Sequence, residues 1–159
     1  MDRNRLIINQ LNERRYDIST ETNKAIVRRY IEQVWNEGRS DLFEEFMTEN
    51  IVEHTAGMPS RSGLEVVKEG LQVSLNAFPD LHLKIDDEIA AGDKVVSRWT
   101  MAGTHQNELL GIPPTGKRVR QTGVTIYRLA NARIAELWFF PDSMGLMQQL
   151  GVIPTPDAA

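Results

Sequence analysis

The 159-residue sequence predicts an α+β domain in which helices lie on one face of an antiparallel sheet, and three observations carry that prediction. Apolar residues recur at helical spacing through the first half of the chain. From Leu81 onward they alternate with polar ones, and the alternating runs are joined by short connections, as in a meander. With 41% hydrophobic residues, the chain is long enough for one core and too short for two full domains.

The first residues, with Leu6, Ile7, Leu11 and Ile18 spaced among Arg, Asn and Glu, predict an amphipathic helical extension over 1–20 suited to packing on a partner subunit. The main domain is expected over 21–156. Ser19 and Thr20 offer an N-cap to a helix whose Ile26, Val27, Tyr30, Ile31, Val34 and Trp35 share one face until Gly38 stops it. Ser40 begins a short helix carrying Leu42, Phe43, Phe46 and Met47, and a strand is expected from Ile51 to Thr55. Leu64, Val67, Leu71, Leu75 and Phe78 mark a further helix that Pro79 closes. Strands are then expected over Leu81–Ala91, Lys94–His105, Val119–Arg128 and Arg133–Phe140. Turns at Gly92-Asp93 and Asn131-Ala132 and a Gly/Pro-rich loop separate them. A last helix, Ser143 to Leu150, ends at Gly151 and Pro154.

Composition removes several chemistries. Lys and Arg total 18 against 22 Asp and Glu, a net charge of -4 without a basic run, which argues against nucleic acid as a partner. The absence of cysteine removes disulfides, thiolate metal sites and a cysteine nucleophile together. The three histidines fall in separate segments without zinc-ligand spacing, so no metal is expected. No Gly-rich phosphate loop, nucleophile elbow or His-Glu-x-x-His helix is present, which disfavours nucleotide-driven and metalloprotease chemistry. The opening Met1-Asp2-Arg3-Asn4-Arg5 and its short apolar run are no signal-peptide core and no membrane span, so a cytoplasmic protein is expected.

Alternation along the strands nominates a pocket. Trp99, Met101, Gly103 and His105 share one side of their strand, and Ile134, Glu136, Trp138, Phe140 and, past Pro141, Asp142 are expected to share a face of theirs. If both faces line one concavity, Asp142 and His105 are candidates for proton transfer in an apolar setting. A structural role fits each as well: Asp142 immediately precedes a helix and suits its N-cap, and His105 sits at a strand end. His54 is open to the same two readings. Glu136 is expected to pair with Arg98 or Arg128 inside the sheet.

Five ordered stretches, Phe78-Pro79-Asp80-Leu81, Ala91 to Val96, Gly103-Thr104-His105, Gly111 to Lys117 and Trp138 through Asp142 to Gly151, resemble the SnoaL-like polyketide cyclases over about residues 22 to 154. The resemblance implies a nuclear-transport-factor-two-like fold, a cone of curved sheet closed by three helices around one pocket. It further implies a cofactor-independent intramolecular aldol cyclisation with Asp142 as acid/base and His105 hydrogen-bonded to the enolate or carbonyl oxygen. Trp35, His54, Trp99 and Trp138 would shape a flat slot, with Met101 and Phe140 beside them, for an apolar or aromatic polyketide. Two departures from the family pattern stand out: Leu137 where many members carry histidine, and Asn131-Ala132 where an acidic residue and glycine are usual. Isomerase, dehydratase or epoxide hydrolase chemistry in the same pocket, or a non-catalytic ligand-binding module, are the alternatives. The resemblance also implies a homodimer, or a tetramer of dimers, formed through the outer face of the sheet.

Overall fold

A computed structural model describes residues 19–155. The extension expected over 1–20 lies outside the described residues, apart from 19 and 20, which already belong to the first helix. That helix, α1, runs through 19–30 and continues as a π-helical stretch, Ile31–Asn36. It buries Val27, Tyr30, Ile31 and Val34, the face that its apolar spacing predicts. Gly38, with φ 68°, lets the chain leave it.

A 3-10 turn, Ser40–Leu42, leads into α2, Phe43–Phe46, whose two phenylalanines are buried. Strand β1 then spans Met47–Thr55. It starts earlier than the apolar pattern suggests because Met47 is already extended and pairs with Ile134. A two-residue strand, β2 (Arg61–Ser62), and helix α3 (Leu64–Ala77) follow. The meander consists of β3 (His82–Ala91), β4 (Lys94–Thr104), β5 (Arg118–Ala130) and β6 (Arg133–Pro141), and α4 (Ser143–Leu150) completes the described chain.

The strands form one sheet in the order β2-β1-β6-β5-β4-β3. All neighbours are antiparallel except β1 and β6, which run parallel, so the expected antiparallel sheet is a mixed one. The meander leaves β6 with a free edge, and β1, delivered there by α1 and α2, occupies it. Register shifts at Met47/Val52, Ile85/Asp87 and Arg128/Leu129 bend the sheet, as bulges do. The core lies in the resulting concavity, where Val95, Trp99, Tyr127 and Leu137 meet the apolar faces of α1 and α3. The predicted α+β class therefore stands, with α4 packed at the end of β5. Among the described residues no helix is long and apolar enough to cross a membrane.

Candidate active site

The concavity is not filled. A cavity of about 350 Å³ remains between the sheet and helices α1 and α3. Pleat alternation supplies its sheet wall: Glu53 and Thr55 from β1, Trp99 from β4, Thr125 and Tyr127 from β5, Leu137 and Phe139 from β6. Tyr30, Ile31 and Trp35 of α1 face them. Met58, Val73 and Leu110, all exposed, form an apolar rim, with Leu110 81% exposed on a backbone of φ 49°. A smaller space of about 80 Å³ shares Trp35, Leu83, Trp99 and Phe139 with the first and is lined in addition by Met101, Gln121 and Leu146.

The polar groups on this apolar wall are few and mostly engaged. The Trp35 indole N–H donates to the Tyr30 hydroxyl at 2.9 Å, and the Trp99 indole N–H donates to Thr125 Oγ1 at 2.9 Å. Trp99 also stacks on Phe139, with ring centroids 5.6 Å apart. The Tyr30 and Tyr127 rings meet edge to face at 6.3 Å. Burial pushes both phenols well above their ordinary range; at Tyr30 the neighbouring Tyr127 adds to the rise while the Trp35 bond opposes it. A phenol is protonated at neutral pH even at its ordinary value, so each hydroxyl carries a proton to donate. Glu53 Oε1 accepts from Arg61 Nη2 at 3.0 Å and from Thr55 Oγ1 at 2.9 Å. Among the described residues no three His, Asp or Glu side chains converge as metal ligands.

Of the residues nominated from sequence, Trp35 and Trp99 line the main cavity and Met101 lines the smaller one. His54, Trp138 and Phe140 stand on the opposite face of the sheet, because their neighbours Glu53, Thr55, Leu137 and Phe139 are the ones that point inward. There His54 stacks on Trp138 at 5.1 Å and its Nε2 lies 2.8 Å from Glu136 Oε1, whose other oxygen accepts from Arg128 Nε at 2.8 Å. Phe140 is exposed. The shared face expected for Ile134, Glu136 and Trp138 is broken by a bulge. Arg128 pairs with Glu136 and Leu129 with Ile134, so Ala135 is an extra residue and the alternation inverts across it.

Asp142 and His105 are not brought together on the cavity wall. Asp142 is exposed and caps α4, its Oδ1 accepting from the Gly145 amide at 2.8 Å. His105 is wholly buried beside Phe78, their rings 5.4 Å apart. Its Nδ1 accepts from the Thr115 amide at 3.2 Å, which puts the ring proton on Nε2, a buried atom without a hydrogen-bond partner among the described residues. The sequence reading passed over Glu53 and Tyr127 and took Tyr30 only as core. The alternation of Glu53 with Val52 and His54 carried the available signal, but which parity faces inward depends on pairing with β6.

Comparison with known proteins agrees with this architecture. A family model described as SnoaL-like polyketide cyclase matches residues 25–150. Aklanonic acid methyl ester cyclase DauD of Streptomyces sp. strain C5 is 27% identical over 139 residues, covering 83% of this chain and 84% of its own length. A SnoaL-like polyketide cyclase-family structure from Jannaschia sp. CCS1 superposes with a TM-score of 0.79 at 26% identity, covering 85% of this chain and 95% of that one. AclR of Streptomyces galilaeus, which carries a hydroxylase assignment, superposes with a TM-score of 0.77 at 29% identity, covering 87% of each chain. With the family model matching from α1 through α4, the chain belongs to the SnoaL-like polyketide cyclase family.

Proposed function

We propose that the cavity takes a small, flat, apolar or aromatic molecule bearing several carbonyl groups, a polyketide or a close analogue, and closes a ring within it by cofactor-independent acid/base catalysis. The observation that carries this reading is the pair of buried, protonated phenols, Tyr30 and Tyr127, on the wall of an otherwise apolar cavity of about 350 Å³. A hydroxyl held there meets a developing oxyanion with little competition from water. A base on the wall removes a proton flanked by two carbonyls, and the C–H electron pair becomes the enolate. The enolate carbon attacks a second carbonyl carbon of the same molecule, whose π electrons move onto oxygen. That alkoxide then takes a proton from the protonated base. Atoms are conserved, so the product is an isomer of the substrate.

Aklanonic acid methyl ester, named in the relative's activity, is the first substrate to try. Chromatography with mass detection is expected to show a new species of unchanged mass that accumulates with enzyme. A product heavier by one oxygen atom would move the reading to oxygen insertion, and bound but unchanged substrate would remove catalysis from it.

The outer face of the sheet carries Val124, Ile126, Trp138 and Phe140, all partly exposed, and we propose it as the surface through which two copies pair. Light scattering on Trp138→Glu against the unsubstituted protein tests this, since a charge there is expected to yield monomers.

A further inference from the structure

We propose that Ser60, His54 and Glu136 form a second site, on the outer face of the sheet, in which the Ser60 hydroxyl attacks the acyl carbon of a small activated ester and is itself acylated. The site stands apart from the cavity, whose lining includes none of the three. Ser60 Oγ lies 2.7 Å from His54 Nδ1, and His54 Nε2 lies 2.8 Å from Glu136 Oε1. Glu136 is ionised at neutral pH, as any ordinary carboxyl is, and a carboxylate only accepts. Nε2 therefore carries the ring proton and donates it to Glu136. Nδ1 then offers its lone pair, and the Ser60 hydroxyl is the donor to it. Nucleophile, base and orienting acid are joined in the order that activates a hydroxyl.

The fold brings the three groups together. β2 runs antiparallel to β1 with Arg61 opposite Glu53, so the preceding residue, Ser60, stands opposite His54 and on the same side of the sheet. A bond from the Met58 amide to the Thr55 carbonyl at 3.0 Å turns the chain between the two strands, and Pro59 restrains the backbone just before Ser60. Parallel pairing sets Val52 beside Glu136 and His54 beside Trp138. The indole therefore lies against the imidazole, with 15° between their planes, while Arg128 Nε holds the second carboxylate oxygen. Ring and acid are each fixed by a neighbour, as a proton-transfer pair requires. Ser60 is exposed and the His54 side chain is 29% exposed, so a reagent reaches the hydroxyl. The surface proposed for pairing is carried by β5 and β6, whereas Ser60 lies past β1 at the β2 edge. Phe140, exposed on the same face beyond Trp138, offers apolar contact to an aryl group, so aryl esters are the donors that suit the site.

In the reaction the Ser60 oxygen bonds to the acyl carbon as its proton passes to His54 Nδ1. The bond from that carbon to the phenolic oxygen breaks, and the phenol leaves with the proton that His54 returns. Water then releases the carboxylic acid from Ser60 by the same route. General-base assistance contributes about 10²- to 10⁴-fold, so on an open surface the acylated serine is the species to look for. The full-length protein is treated with a fluorophosphonate, from which an activated serine displaces fluoride, and separately with p-nitrophenyl acetate. Peptide mass spectrometry locates the modified residue. Both reagents are expected to modify Ser60, and Ser60→Ala is expected to lose the label. His54→Phe keeps a ring against Trp138 without a base, and its labelling rate is expected to fall at least about tenfold. Circular dichroism checks that the variants are folded; should His54→Phe not fold, His54→Gln decides by the same comparison. An unsubstituted protein that takes no label at Ser60, or a folded His54 variant that labels as fast as the unsubstituted protein, overturns the proposal.

Discussion

The indole N–H of Trp35 reaches the phenolic oxygen of Tyr30, five residues earlier on the same helix, at 2.9 Å. In a regular α-helix, residues five apart point about 140° away from each other. The helix passes into π geometry at Ile31, and the i to i+5 repeat, seen where the Glu37 amide bonds the Glu32 carbonyl, brings the two rings to the same side. A local departure from the α-helix thus builds a hydrogen-bonded pair on the cavity wall.

That pair is testable at both ends. Tyr30→Phe keeps the ring and its packing but removes the donor, and kcat for the cyclised substrate is expected to fall about 10²- to 10³-fold. Trp35→Phe removes a hydrogen bond and is expected to cost about 1 kcal/mol in urea denaturation, with a smaller loss of kcat.

Gly123 lies opposite Trp99 in the β4–β5 ladder, and a Cβ there would run into the indole ring and come within 2.9 Å of the Phe140 carbonyl. Gly123→Ala is expected to push Trp99 off its stack on Phe139 and into the cavity. A loss of about 1–3 kcal/mol in stability and weaker ligand binding should follow, read by denaturation and by tryptophan fluorescence.

The β5–β6 turn places Asn131 at φ 51° and Ala132 at φ 59°. Asparagine tolerates the left-handed region, but alanine does so against its Cβ. Ala132→Gly is expected to stabilise the fold by about 0.5–1 kcal/mol, the relief of strain being partly offset by a freer unfolded chain. A rise in melting temperature checks it.

On the outer sheet face, the Arg128 hydrogen bond foremost, and then that of His54, holds the Glu136 carboxyl below its ordinary range. The folded value lies under the unfolded one, so the stabilisation is present above pH about 4.3 and is lost as pH falls through the folded value. Thermal melts on a falling pH series should show that loss. Glu136→Gln is expected to melt lower at neutral pH and to respond less to acid.

The elements that repeat regularly were legible, and the ones that depend on distant pairing were not. β4 and β5 stay in continuous register from Lys94 opposite Arg128 to Thr104 opposite Arg118, so alternation read from Trp99 placed both Trp99 and Met101 correctly on the inner face. β6 carries the bulge at Ala135, and the same reasoning extended across it assigns Trp138 and Phe140 the positions that Leu137 and Phe139 hold. Leu137 therefore falls on the cavity wall, where it adds apolar surface. Asp142 could be read as a cap from its place before Ser143, and it is one. β2 has two residues and no pattern of its own, yet it carries Arg61 to Glu53.

The parallel pairing of β1 with β6 has a consequence in time. Glu53 is made early in synthesis, but its neighbour in the sheet, Leu137, belongs to the last strand, and the His54–Glu136 contact across the same pair joins residues 82 apart. Closing so long a loop is slow, and the meander offers β1 no edge until β6 has joined it. A nascent chain halted before β6 would hold its helices beside an unfinished sheet, with the Glu53 side of the cavity still open.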